Sequence, residues 1–432
     1  MSVLDLSRLQ FAVTTSIHWL FVMVTMGLVV VLVILQTRAL LTRDPGKREL
    51  LYRMTRYWGM LYVINYAMGI ASGIIMEFQF GTNWSGLSHM AGDVLGVPLA
   101  VETLVAFVAE STFLALWIFG WGRLPEWIHT LLIWLVAVTA YASAFWVLVA
   151  NGFMQDPTGY ELVDGRANLV DPAALFASPN AIMAFSHICG AALAAGGVIL
   201  TVVSAAYLFR RTPDQAFFVR SFRMGYLVGM VGLLSAFGTG WAQYGIVTEN
   251  QPAKSLDALT SGGEADAVQA ELVAQFGQGD YLLPAGLFAA FTVMMMVAEL
   301  FGPVMLFASP LVIWRLPAKL WWLMPVFWLA LPLPFLAAVA GWVFREMGRQ
   351  PWIIYGVQRT SEAVSDNGIG MMWTSFIAFT AILLVLLVTN WWLLARHAVR
   401  GPNRELFGVT PVAPPAPAPV AAAATPRGAL HG

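Results

Sequence analysis

The chain has 432 residues, of which 59% are hydrophobic and only 11% charged, with a formal net charge of −1. Soluble domains carry about 25% charged residues, so the composition excludes a water-exposed fold for most of the chain, makes lipid its solvent and gives no reason to expect a nucleic-acid partner. The single cysteine, Cys189, excludes an intrachain disulfide framework and an iron–sulfur cluster held by four cysteines.

A membrane-crossing helix takes about 20 apolar residues, and nine stretches qualify in chain order: roughly 14–37, 57–76, 97–121, 127–150, 182–209, 222–246, 283–314, 320–345 and 371–395. They are long and continuous, whereas the strands of a membrane barrel alternate in polarity over about ten residues. A spanning helix also satisfies its own backbone hydrogen bonds. The expected fold is an all-α polytopic bundle of nine transmembrane helices over residues 1–400. Met1–Gln10 carries only Arg8 as a base and no small-residue cleavage site follows the first span, which is therefore expected to remain in the mature protein. Loops are expected at 77–96, 151–181 and 247–282, and the acidic run Glu264–Glu271 in the last of these is expected to form a short surface helix. Residues 401–432, rich in Pro and Ala from Pro411, are expected to form a disordered cytoplasmic tail. No internal repeat of the two-halved transporter kind is present.

Lys and Arg gather on the cytoplasmic side of membrane proteins. Sorting alternate loops to alternate sides puts 17 of the 23 on one side, among them the loop Arg38–Arg56, Arg210, Arg211, Arg220, Arg223, Arg315, Arg396 and Arg427. Six remain on the other side: Arg8, Arg166, Lys254, Arg345, Arg349 and Arg359. The N-terminus is expected outside and the C-terminus inside.

Ionisable groups inside spans are costly and therefore mark function. His18, Glu102, His187, Met294 and Glu346 all fall toward the outer ends of their spans. Histidine nitrogen and methionine sulfur are axial ligands of heme iron, and a bundle supplies them from facing helices. A His187/Met294 pair would hold a six-coordinate, electron-transferring heme, while histidine or carboxylate ligation with one open side suits an iron that binds oxygen. Four of these also have a plainer reading, as a helix–helix hydrogen bond for the histidines or Glu102 and as core filler for Met294. Glu102 and Glu110 are eight residues apart, about 12 Å along the helix and about 80° around it, so they can act as stepping stones for protons. Trp342, Glu346 and Arg349 share a face by their i, i+4, i+7 spacing, which joins an aromatic, a candidate ligand and a base for heme propionates.

The segments Ser7-Arg8-Leu9-Gln10-Phe11 leading to His18, Met76-Glu77-Phe78-Gln79-Phe80-Gly81-Thr82-Asn83-Trp84, Glu102 with Glu110-Ser111-Thr112, Val149-Ala150-Asn151-Gly152 and Gly348-Arg349-Gln350-Pro351-Trp352 resemble subunit I of cytochrome bd quinol oxidases. The resemblance runs from about residue 2 to 395 and implies, by family likeness, a nine-helix subunit of the bacterial inner membrane that passes electrons from a quinol to dioxygen. It implies a low-spin heme b on His187 and Met294, a high-spin heme b on Glu346, and a heme d (or a third heme b) on His18 with Glu102 beside it. Glu110 would be the inner acid of the proton path, and Trp342 and Arg349 would flank the high-spin hemes. The implied partners are a second integral-membrane subunit, a small single-helix subunit and membrane lipid.

Three positions depart from the family pattern. The outer loop 247–282, the candidate quinol site, keeps Gln251 and Lys254 but has Leu259 where the family has a glutamate. Thr292 stands where an arginine is expected, and Glu299 is an acid the family does not place in the seventh span. The competing readings are the same oxidase with a different electron donor, a non-heme ion transporter, and a cytochrome b that reduces no oxygen.

Overall fold

A computed structural model describes residues 1–284, 286–313 and 317–410. Among these residues nine helices are long and apolar enough to cross a membrane. They are α1 (Val3–Leu41), α2 (Pro45–Asn83), α3 (Ser85–Phe119), α4 (Glu126–Gln155), α5 (Pro179–Phe209), α6 (Gln215–Asn250), α7 (Gly286–Ile313), α8 (Trp321–Met347) and α9 (Ile369–Arg400). They correspond one for one to the nine expected stretches. Arg315 and the Pro/Ala run from Pro411, with Arg427, lie outside the described residues.

Local chemistry explains several helix starts. Ser2 and Asp5 form a capping box at α1. Asp44 caps α2, with Pro45 in the first turn, so the chain reverses in three residues. α5 and α6 pack closely because glycines face each other, and a Cβ at Gly197 would collide with the backbone of Gly229. Two helices are irregular. α3 is kinked at Ala91 and widens into a π-helix over Leu104–Glu110, while α8 begins as 3₁₀ turns over Trp321–Ala330 before the α-helix Leu333–Met347.

The expected loop 77–96 is instead helical, since α2 runs to Asn83 and α3 starts at Ser85. Its polar turns are covered by other elements at the same end of the bundle: Gln79, Asn83 and Leu87 are buried, Ser365 N donates to Asn83 O (2.9 Å) and Gln358 Nε2 donates to Gly86 O (3.1 Å). Hydropathy registers the polarity and misses the cover. The connections between spans also hold a hairpin of β1 (Tyr160–Val163) and β2 (Arg166–Leu169), a smaller pair of β3 (Trp352–Ile354) and β4 (Gln358–Arg359), and the helix Gly262–Phe276, which contains the expected Glu264–Glu271.

Residues 401–410, assigned from sequence to the tail, are packed. Leu406 is buried, Phe407 lies 5.3 Å from Trp117 and stacks on Trp121 at 6.1 Å, and Arg404 hydrogen-bonds His397. Two apolar side chains in a polar stretch anchor it.

The end of the bundle that carries the basic loops has a core of Tyr57, Trp58, Trp117, Phe217, Phe218 and Phe222. The opposite half contains large cavities, and these position the site.

Candidate functional site

Three cavities adjoin one another, and Trp342 of α8 lines all of them. The first, with a void of about 1540 Å³ including the part open to the outside, has His187 of α5 and Met294 of α7 in its walls. His187 Nδ1 lies 2.8 Å from Ala236 O, so Nδ1 carries the proton and Nε2 keeps the lone pair that a metal needs. Room for these side chains comes from glycines: an ideal Cβ at Gly240 would lie 3.0 Å from the His187 ring, and one at Gly341 only 2.6 Å from Met294 Sδ.

The second cavity, about 1520 Å³, is lined by His18, Glu102 and Glu110. Ser72 gives its hydroxyl proton to Gly69 O (2.7 Å) and therefore accepts from His18 Nδ1 (2.8 Å), which again leaves Nε2 available. Glu102 accepts from Ser143 Oγ (2.9 Å), and buried Glu110 accepts from Tyr62 OH (3.1 Å). The π-helical turn lies between the two acids. Its wider winding alters the 80° separation of a regular helix, and both acids face one space. Glu102 stands about three turns beyond the kink at Ala91, deeper in α3 than the expected outer end, because α3 starts before the apolar stretch does. Trp19 lines both large cavities and stacks on Trp342 (6.2 Å, 20°).

The third cavity, about 650 Å³, holds Glu346, Arg349, Arg8 and Gln350. Glu346 accepts from Asn151 Nδ2 (2.9 Å) and Gln155 Nε2 (3.1 Å) through Oε1, and from Arg349 Nη2 (2.8 Å) through Oε2. A carboxylate offers about four lone-pair sites, so one remains on Oε2.

Around Glu346 the charge is unbalanced. Arg345, Arg349 and Lys254 are all buried, and Lys254 Nζ donates to Arg345 O (3.0 Å) and Gln155 Oε1 (3.2 Å). Burial, then the neighbouring Arg345, pushes the Lys254 amine well below the ordinary lysine value, and burial lowers Arg349. Among the described residues Arg345 Nη1 and Arg349 Nε and Nη1 have no hydrogen-bond partner, nor does Trp342 Nε1. Buried cations with unused donors call for anions. Heme propionates would meet the requirement, and the cavity walls would supply the ligands. Among the described residues no three His, Cys, Asp or Glu converge to hold a bare ion, whereas His18, His187, Met294 and Glu346 each line a cavity.

The structure thus gathers His18, Glu102, Glu110, His187, Met294, Trp342, Glu346 and Arg349 around one set of voids. Lys254 lines the His187 cavity, and Gln251 Nε2 donates to Gln155 O (2.6 Å). Leu259 packs in an apolar cluster with Phe291 and Phe344, Thr292 bonds back to Phe288 O (2.8 Å), and Glu299 is exposed on α7. Sequence reasoning assigned no site role to Trp19, Ser72, Ser143, Tyr62, Gln155, Asn180 or Arg345. Arg345 donates to Asn151 Oδ1 (2.8 Å) and Asn180 Oδ1 (3.0 Å). Its position one residue before Glu346 was the available signal.

Comparison with known proteins identifies the family. Residues 6–273 and 270–402 match the family model described as cytochrome bd terminal oxidase subunit I. The chain is 35% identical to cytochrome bd ubiquinol oxidase subunit 1 of Bacillus subtilis, over 95% of this chain and 97% of that one. It is 42% identical to cytochrome bd-II ubiquinol oxidase subunit 1 of Escherichia coli over 58% of this chain and 48% of that one. The fold matches a chain of the bd oxidase from Geobacillus thermodenitrificans with a TM-score of 0.80 at 21% identity, covering 93% of this chain and 99% of that one.

Proposed function

Because the chain belongs to the cytochrome bd terminal oxidase subunit I family, we propose that it is the multi-pass membrane subunit that takes electrons from a quinol and delivers them to dioxygen, forming water. The observation that carries this reading is the meeting of three ligand-bearing cavities at one tryptophan. Bound hemes would supply the electron transfer and the oxygen chemistry, and the protein sets their ligation, spacing and proton access.

In this reading His187 Nε2 and Met294 Sδ hold the low-spin heme b, and His18 Nε2 holds heme d or a third heme b with Glu102 beside it. Glu346 holds the high-spin heme b. Arg345, Arg349 and Lys254 neutralise propionates. Trp342 and Trp19 fill the space between the sites with aromatic contact. Glu110, held by Tyr62, and Glu102, held by Ser143, pass protons inward to the oxygen-reducing cavity, because reducing oxygen in an apolar pocket requires a supply of protons from outside it. The residues 247–282, with Gln251 and Lys254, form the quinol site, and the buried amine of Lys254 acts through the wall of the His187 cavity. The basic loops lie in the cytoplasm of a bacterium and the cavities toward the outer face of its inner membrane. Quinol protons then leave outside while consumed protons come from inside, which separates charge without a pump. A second integral-membrane subunit and a small single-helix subunit complete the enzyme, and the segment beyond Thr410 is a cytoplasmic tail.

The test is a reduced-minus-oxidised spectrum of the purified complex, with and without carbon monoxide, repeated for His187→Ala. The expected result is loss of the low-spin signal with the carbon monoxide adduct retained. Absence of heme absorbance in the unaltered complex, or an unchanged spectrum in His187→Ala, overturns the assignment.

A further inference from the structure

A fourth cavity lies at the opposite, basic end of the bundle, between α1, α2, α6 and the end of α7. Its void is about 1330 Å³ including the part open to the outside. Four cations line it, Arg38 from α1, Lys47 from α2, and Arg220 and Arg223 from α6, and among the described residues no Asp or Glu does. Lys47 pairs with Asp44 at 3.5 Å on the surface. Arg223 is held in place by donating Nε to Val312 O (2.8 Å).

Below the cations the lining becomes apolar, with Leu51, Met54, Leu227 and Val228. Leu227 is 56% exposed, and Val231 (61%) and Leu234 (54%) continue from it along α6. These three follow i, i+4, i+7 and so form one stripe. Continued to the exposed Phe237, the stripe is about 15 Å long, half of a hydrocarbon core of about 30 Å. A soluble anion would satisfy the cations and leave the stripe bare. One molecule with an anionic head and a long apolar tail satisfies both.

We propose that this cavity is a binding site for an anionic phospholipid, the phosphate of the headgroup seated among Arg38, Lys47, Arg220 and Arg223 and an acyl chain lying along α6. Basic pockets between membrane helices at the cytoplasmic side hold such headgroups, each cation contributing roughly a fivefold preference over a neutral lipid. The proposal does not rest on the heme assignments.

The test uses the purified oxidase complex delipidated in detergent and re-equilibrated with phosphatidylglycerol or phosphatidylcholine, with retained lipid counted by native mass spectrometry. The expected result is preferential retention of phosphatidylglycerol that falls about 25-fold in Arg38→Gln/Arg220→Gln. Retention should persist in Arg38→Lys/Arg220→Lys and in Arg396→Gln, which sits on α9 outside the cavity, and the heme spectrum of each variant reports that it has folded. Equal retention of the two lipids, or phosphatidylglycerol retention unchanged by the double glutamine substitution, overturns the proposal. Complete displacement of phosphatidylglycerol by inorganic phosphate at millimolar concentration overturns the lipid assignment in favour of a soluble anion.

Discussion

Glu346→Gln keeps the side-chain volume and removes the one carboxylate facing Arg345, Arg349 and Lys254. In the native arrangement its oxygens accept from Asn151, Gln155 and Arg349. A glutamine amide turns one acceptor into a donor, so at least one of those three donors then meets another donor. Breaking a buried ion pair by removing one partner costs about 3–5 kcal/mol, because the remaining charge stays buried. If half of the lower figure appears in the unfolding barrier, about 1.5 kcal/mol, the half-life of the purified complex at fixed temperature falls about tenfold. The assay is irreversible thermal unfolding followed by loss of folded signal, on heme-deficient preparations of both proteins, so that neither propionates nor the loss of a heme ligand enters the comparison. Lys254→Met in the same background removes one of the three cations and should restore part of the lifetime, a coupling that a double-mutant cycle reads directly. A Glu346→Gln lifetime within twofold of the parent would show that the cluster does not depend on this carboxylate, and the electrostatic reasoning would fail.

Four further outcomes follow from the same geometry. Gly341→Ala places a methyl 2.6 Å from Met294 Sδ, a contact that must displace the thioether, so the low-spin heme signal should shift or vanish in the reduced spectrum while carbon monoxide binding persists. Glu110→Gln should lower oxygen consumption more than tenfold and Tyr62→Phe only a few-fold, since the phenol supplies one hydrogen bond to the acid, net about 1 kcal/mol. Ending the chain after Arg400 removes Leu406 and Phe407 from the Trp117–Trp121 cluster and should cost about 3 kcal/mol, two apolar side chains at about 1.5 kcal/mol each, as a shift of the thermal unfolding curve reads. In heme-deficient preparations the depressed Lys254 means that the unfolded chain binds more protons than the folded one between the two pKa values. Stability should therefore rise with pH up to the ordinary lysine value, a slope that Lys254→Met abolishes in unfolding measured across alkaline buffers.

The nine spans were legible because each is set by a local property, a run of apolar residues long enough to cross lipid. Where helices extend past that run, polarity hides them. Gln79, Asn83, Asn151 and Gln155 read as loop or boundary residues, yet each belongs to the last turns of a helix and is buried by elements far away in the chain. The converse error occurred at 401–410, where polar composition read as tail although Leu406 is buried and Phe407 reaches back to Gly59 of α2 and Trp117 of α3. In both cases tertiary cover, which no local window contains, decided the outcome.

The site divides in the same way. His18, His187, Met294 and Glu346 could be named because their chemistry is rare inside a span, and Trp342 because it lies one helical turn from Glu346. The residues that orient them could not be named this way: Ser72, Ser143, Asn180 and Ala236 O are common groups whose role exists only by proximity. Trp342 itself shows what the fold adds. The short stretch Trp342–Arg349 places one aromatic against all three cavities and a carboxylate and two guanidinium groups beside them. A substitution at Trp342 therefore cannot alter one cavity in isolation, and the spacing of the three sites depends on the packing of the α8 helix that carries this residue.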